Sequence, residues 1–153
     1  DATLRENSGM AYAEGIKDGM DVSLCVIDQS ARTLDFAGAV NGMYLVRNNE
    51  LQTIKGDRLS IGRHPEGGTP AYNATRLELQ DEDFIYIFSD GYADQFGGPE
   101  HKKFKYRRFR HLLLNIHALA PEDQKAILHQ KFEEWRGAEE QVDDVLVMGF
   151  KPL

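Results

Sequence analysis

Cysteine is nearly missing from this chain. Cys25 stands alone among 153 residues, so no internal disulfide can staple the fold, and an oxidised scaffold is excluded. Long hydrophobic runs are missing too: none approaches ~20 residues, which excludes a membrane-spanning helix. Positive charge is in deficit. Lys and Arg number 18 against 25 Asp and Glu, a net charge of −7, which argues against bulk nucleic-acid binding. An initiator Met is lacking, and no leader pattern precedes Asp1, so a processed or cloned fragment is expected. What is present is 41% hydrophobic, enough for a core and too much for whole-chain disorder. The length suits one domain. Together these features predict a cytoplasmic protein, with metal binding open to it.

The segment 1–17 is weakly patterned and reads as an arm, with Leu4, Met10, Tyr12 and Ile16 as its apolar residues. Val22 to Ile27 is short, apolar and partly β-branched, the pattern of a buried strand. Thr33 to Ala37 reads as a second strand, followed by the small-residue break Gly38 to Gly42. Met43 to Arg47 and Leu51 to Lys55 flank Asn48-Asn49, and asparagine tolerates the positive φ of a tight hairpin. Gly56 to Pro70 reads as a loop. Tyr72 to Leu79 and Phe84 to Ser89 read as two strands joined by a polar turn, Gln80 to Asp83. Phe84 to Phe88 is almost wholly apolar, so it should be covered on both faces. Phe109, Leu112, Leu113 and Ile116 recur at helical spacing. A second helix should open at Pro121, with Glu122 and Asp123 in its first turn, and close at Gly137. Val145 to Phe150 is a final strand. This order predicts an α+β fold, mainly antiparallel sheets packed with helices.

Two carboxylate sites sit at the ends of the most apolar strands. Asp90 and Gly91 directly follow Phe84–Ser89, and Asp143-Asp144 directly precede Val145. If those strands are antiparallel neighbours, the acids converge at one sheet edge. Converging carboxylates repel, and a shared hard cation lowers that cost. An oxygen-only set points to Mg²⁺ or Mn²⁺ rather than zinc. Gly91 allows a sharp turn that would aim the Asp90 carboxylate out of the sheet. An ordinary Asp-Gly turn and an ordinary polar strand boundary are the alternatives.

Ser89-Asp90-Gly91-Tyr92-Ala93-Asp94-Gln95-Phe96-Gly97-Gly98 resembles the SDG motif of the metal-dependent, type 2C-like protein serine/threonine phosphatases, in particular their SpoIIE/RsbU-type branch. Asp143-Asp144-Val145-Leu146-Val147 resembles that branch's terminal DD-plus-strand motif. Asp18-Gly19-Met20-Asp21-Val22-Ser23-Leu24 resembles its DGMD-type strand opening, and Phe36-Ala37-Gly38-Ala39-Val40-Asn41-Gly42 its FAGA-type hairpin. All four occur in order from residue 18 to the end. The resemblance implies part of an α-β-β-α sandwich. It implies that Asp90 and Asp143 bind metal, with Asp144 as an adjacent candidate and Gly91 as backbone at the metal edge. The implied reaction is hydrolysis of phosphoserine or phosphothreonine on a regulatory protein, with Mn²⁺ or Mg²⁺, two ions in the complete family site, and no covalent nucleophile. The implied substrate is a phosphorylated anti-sigma antagonist, and the implied setting is the cytoplasmic output domain of a larger sensor.

One family element is not found. The upstream metal-ligating motif of the type GD-x-S-G-x-G does not occur in the 17 residues before Asp18. Residues 18–153 are therefore expected to be the C-terminal portion of the phosphatase domain, and residues 1–17 a remnant of the rest. The chain by itself is expected to be weakly active or inactive. The alternative is a non-catalytic SpoIIE-like module that binds a partner. Ala39 stands where some relatives carry a third-metal aspartate, so the resemblance implies no such site here.

The stretch His101 to His111 is basic with interleaved aromatics. Lys102, Lys103, Arg107 and Arg108 are candidates for seating an anionic substrate, and an amphipathic helix start with solvated charges is the plainer alternative. His64 falls in the loop, within conceivable reach of the metal edge. Asp18 and Asp21 are either turn residues or neighbours of that edge. His117 and His129 should face solvent, and Trp135 should anchor core. An open sheet edge would allow a homodimer. Neither nucleic acid nor membrane is an expected partner.

Overall fold

The computed structural model describes residues 19–62 and 71–153. Asp18, His64 and the arm 1–17 lie outside them.

Eleven strands and three helices are formed by the described residues. The strands are β1 (Gly19–Met20), β2 (Val22–Asp28), β3 (Thr33–Ala39), β4 (Met43–Arg47), β5 (Glu50–Ile54) and β6 (Ile61–Gly62), then β7 (Ala74–Glu78), β8 (Phe84–Phe88), β9 (Phe96–Gly97), β10 (Lys102–Lys103) and β11 (Val147–Phe150). The helices are α1 (Gly91–Asp94), α2 (Tyr106–Ile116) and α3 (Pro121–Arg136). One sheet has the order β11-β8-β4-β5 and another β2-β3-β7, and β1-β6 and β9-β10 are short ribbons. Every ladder is antiparallel. The α+β class expected from the sequence holds.

The period-two alternation of β4 and β8 builds the layers. Met43 and Leu45 of β4 and Ile85 of β8 face the second sheet, where they pack with Leu34, Phe36 and Leu79. Tyr44 and Val46 of β4 and Phe84, Tyr86 and Phe88 of β8 face the other way, onto Phe109, Leu113 and Ile116 of α2 and Phe132 of α3. The four-stranded sheet is thus covered on both faces, which is why β8 can be almost wholly apolar. The residues Phe109, Leu113 and Ile116 recur at one helical face, as the sequence requires. Asn48 and Asn49 take φ of 52° and 60° and close β4 onto β5, with Arg47 opposite Glu50. Two left-handed residues in a two-residue loop match the twist of the strands they join.

Three expectations need correction. β2 is an edge strand, and Leu24 and Val26 are more than half exposed on its outer face. A short apolar run does not reveal whether one face is buried or two. The last strand begins at Val147, not Val145. Lastly, residues 91–94 fold into a helical turn rather than leaving the sheet as a simple bend.

Candidate functional site

The site is built where β8 ends and β11 begins. The two strands pair antiparallel, with Phe88 opposite Val147. Beyond the ladder, Ser89 extends the pairing by side chain as well as backbone. Its N–H donates to Leu146 O at 3.0 Å. Its hydroxyl donates to Asp144 O at 2.7 Å and accepts from the Leu146 N–H at 2.9 Å. The segment before β11 is thereby held to the segment after β8, and the acids at the two ends share one edge.

Asp90 precedes α1 with helical backbone angles, φ −74° and ψ −18°. Partial burial raises its carboxyl above the ordinary range, and the negative charges of Asp143 and Asp94 raise it further. Asp21 adds a smaller push of the same sign. Desolvation and like charge both penalise the ionised form, and a bound cation would relieve the second. Asp143 is exposed, and its Oδ1 accepts the N–H of Asp144 at 2.7 Å. The structure therefore brings Asp90, Asp143 and Asp94 into one field. Asp144 contributes its backbone: its carbonyl anchors Ser89, while its side chain is exposed.

Gly91 lies at the edge as expected, but for a different reason. Its φ is not positive. Instead, a Cβ placed there would come within 2.4 Å of Asp144 O and 3.0 Å of Asp144 C. The missing side chain lets two backbones touch, rather than letting one backbone turn.

Asp94 went unnoticed in the sequence. It sits four residues after Asp90, and its N–H donates to Asp90 O at 2.9 Å. The i, i+4 spacing was the available signal, and it had meaning only once residues 91–94 were known to be helical. Asp94 is also paired with Lys103 at 2.8 Å. Asp21 is held by the Ser60 hydroxyl at 2.5 Å.

The basic residues divide. Lys102 is paired with Glu100, and Lys103 with Asp94 while lying over the Phe96 ring. Arg108 stacks on Trp135 at 4.4 Å from the ring centroid. Arg107 is exposed and, among the described residues, has no acidic partner. Trp135 is half-buried: its indole N–H donates to Gln95 O at 3.0 Å, and its ring meets Phe104 edge-on. His129 is exposed, whereas His117 is half-buried, with Nδ1 2.6 Å from Leu114 O.

Two carboxylates offer a hard cation oxygen ligands of the right kind, and water would have to complete the shell. Among the described residues no group of three or more His, Cys, Asp or Glu is gathered to hold a metal ion. The donor set among the described residues, two carboxylates, thus fits at most one loosely held cation.

Comparison with solved structures gives the same architecture. The SiaA-PP2C domain of Pseudomonas aeruginosa superposes with a TM-score of 0.77 at 29% identity, over 86% of this chain and 51% of that one. The phosphatase domain of the cell fate determinant SpoIIE from Bacillus subtilis, presoaked with Mn, matches with a TM-score of 0.62 at 17% identity, over 86% of this chain and 55% of that one. The serine/threonine phosphatase PstP/Ppp of Mycobacterium tuberculosis matches with a TM-score of 0.53 at 18% identity, over 84% and 58%. This chain spans about half the length of these structures. No curated protein matches the sequence. No helix among the described residues is long and apolar enough to cross a membrane. The sequence model of stage II sporulation protein E matches residues 4–152, nearly the whole chain, so this chain belongs to the SpoIIE family and carries the fold of a PP2C-type phosphatase domain.

Proposed function

We propose that this chain contributes to metal-dependent hydrolysis of phosphoserine or phosphothreonine on a regulatory protein. The observation that supports this reading is the antiparallel pairing of β8 with β11. It sets Asp90 just past the end of one strand and Asp143 ahead of the start of the other, so that the Asp143 charge helps raise the Asp90 carboxyl. Asp90 and Asp143 are the residues that would hold Mn²⁺ or Mg²⁺, with Asp144 beside them. Such a cation supplies an activated water near neutral pH and neutralises phosphoryl charge. The chain's own part is positional. Ser89 fixes the approach of the Asp143 segment, and Gly91 permits it. Asp90, held partly out of water next to like charge, gains most from a counter-ion. Cys25 is no candidate nucleophile: burial raises its thiol, and its Sγ lies 3.9 Å from Met43 Sδ. A phosphorylated anti-sigma antagonist as substrate, and a cytoplasmic setting, belong to this proposal through family resemblance.

The second reading is a non-catalytic module that keeps the fold and binds a partner. It draws on the donor set among the described residues, two carboxylates, which is too small to fix two metal ions. One experiment separates the readings. Calorimetric titration with Mn²⁺ is run beside a p-nitrophenyl phosphate assay at saturating Mn²⁺. The phosphatase reading expects Mn²⁺ binding that weakens at least about tenfold in Asp90→Asn, together with slow, Mn²⁺-dependent turnover lost in the same variant. Because this chain alone is expected to be weakly active or inactive, absent turnover favours the module only when the chain is extended upstream through a GD-x-S-G-x-G motif. Mn²⁺ binding unchanged in both Asp90→Asn and Asp143→Asn removes the ligand assignment.

A further inference from the structure

A third of the Lys and Arg residues of this acidic protein fall in one place. Lys102, Lys103, Lys105, Arg107, Arg108 and Arg110 fall within nine positions, and no Asp or Glu occurs from residue 101 to 121. The structure shows which of these charges are already used. Lys102 and Lys103 are paired, while Lys105, Arg107, Arg108 and Arg110 make no ion pair among the described residues. The unpaired cations crowd the start of α2, whose first turn holds no acid and no side-chain cap. A helix macrodipole disfavours cations at that end, so local helix stability does not account for their placement.

Arg107, Arg108 and Arg110 line a groove of about 790 Å³, together with His111 and with Lys131, which is paired with Glu134. Leu51, Phe104, Leu112 and Leu114 also line it. The groove is therefore cationic with an apolar part. The groove runs along α2, whose N-terminal end lies toward the acidic edge. Tyr106, the first residue of α2, is near enough to Asp90 and Asp94 for their charges to act on its phenol.

We propose that this groove docks an acidic protein segment, one bearing several carboxylates with an apolar residue among them. Charge complementarity selects the class of occupant, and the leucines favour a peptide over a bare polyanion. A long nucleic acid would run beyond the groove onto a surface whose net charge is −7 overall. Taken with the phosphatase reading, on which this step alone rests, the segment flanks the phosphorylated residue of the substrate and guides it toward the Asp90 edge.

The test is fluorescence anisotropy with a labelled peptide of six glutamates and one leucine, in EDTA, so that no metal chemistry enters. A dT20 oligonucleotide and anionic phosphatidylserine vesicles serve as rival probes. The expected result is saturable peptide binding that weakens about tenfold in Arg107→Glu/Arg110→Glu and falls with added salt. Lys125→Glu/Lys151→Glu makes the same change in net charge elsewhere and should leave binding within about twofold. Circular dichroism verifies that each variant is folded, and Arg107→Gln/Arg110→Gln repeats the test without charge reversal. Equal loss in the control pair, no peptide binding, or tighter binding of dT20 or vesicles overturns the inference. Turnover of p-nitrophenyl phosphate, which has no acidic segment, reports on the phosphatase reading separately. Peptide binding without turnover in a chain extended upstream through a GD-x-S-G-x-G motif upholds the groove and removes the substrate identity.

Discussion

A Cβ on Gly91 would lie 2.4 Å from the carbonyl oxygen of Asp144. No side chain fits between these two residues, so their backbones are in direct contact across the edge that gathers the acids. Gly91→Ala must push the Asp143–Asp144 segment away from α1. Overpacking of this kind costs about 1–3 kcal/mol. Urea denaturation should show that loss, and Mn²⁺ titration should show weaker binding than the wild type. Unchanged stability together with unchanged Mn²⁺ affinity would show that the contact positions nothing.

The turn between β7 and β8 is clamped from below. Asp83 is fully buried and accepts two bonds from Arg47 on β4, at 2.8 and 2.7 Å. Its Oδ2 also accepts the Gln80 N–H at 2.9 Å, while Arg47 donates to Glu78 O at 2.7 Å. Such a bidentate pair fixes where β8 starts, and hence where it delivers Ser89 and Asp90. Removing one partner of a buried pair strands the other. Asp83→Ala should therefore cost about 3 kcal/mol, read as a lower urea midpoint with an unchanged slope. Arg47→Met/Asp83→Leu should recover much of that loss, because both charges then leave together.

Much of this arrangement was legible in the sequence, and the limits have physical causes. The two apolar runs tipped with acids posed a condition, that β8 and β11 be antiparallel neighbours, and the ladder meets it. The Asn48-Asn49 hairpin followed from backbone tolerance, and α3 from Pro121 and Gly137. What escaped depended on neighbours distant in sequence. Asp83 sat in an unremarkable polar turn, and only Arg47, 36 residues away, gives it a role. Gly91 was read as a conformational need when its cause is the backbone of Asp144. Apolar content alone made β2 a buried strand, although its position at the sheet edge exposes Leu24 and Val26. In the basic stretch, pairing of Lys102 and Lys103 with local acids separated them from Arg107, a distinction composition cannot make.

Asp57 ties two loops together through its carboxylate and its backbone. Its Oδ2 accepts the Asn73 N–H at 2.7 Å and its Oδ1 the Asn73 side-chain amide at 2.8 Å. Its N–H donates to Gly38 O at 2.8 Å, and its carbonyl accepts from Val40 N–H at 2.7 Å. The Asn73 bonds favour the ionised carboxylate and hold it below its ordinary value of 3.8. A depressed carboxyl adds stability that is fully present above that ordinary value and is lost as pH falls through the folded-state value. Asp57→Ala should accordingly lower the melting temperature near pH 7. The gap from wild type should narrow as the pH is brought below about 4, since both proteins then lack the ionised group. A gap that stays constant from neutral pH to acid would place the effect in side-chain packing instead.

Gln124 is the polar centre of the helix layer, only 4% exposed. Its Oε1 accepts the Tyr86 hydroxyl at 2.6 Å, and its Nε2 donates to Leu119 O at 2.9 Å and His117 O at 3.1 Å. One side chain thus joins β8 to the α2–α3 connection and satisfies a buried phenol. Gln124→Leu keeps most of the volume and orphans the Tyr86 hydroxyl, along with two carbonyls. A buried polar group left unpaired costs about 1–3 kcal/mol. Tyr86 is buried, whereas Leu119 is exposed and its carbonyl can turn to water, so a loss of about 1–3 kcal/mol is expected from chemical denaturation. Tyr86→Phe should cost less, because it removes a hydroxyl and strands one amide oxygen. The double variant Tyr86→Phe/Gln124→Leu should be more stable than the sum of the single losses implies, by about 1 kcal/mol, since neither partner of the bond then remains unpaired. Strict additivity would mean that the 2.6 Å contact contributes nothing of its own, and that Gln124 acts only through the two carbonyls.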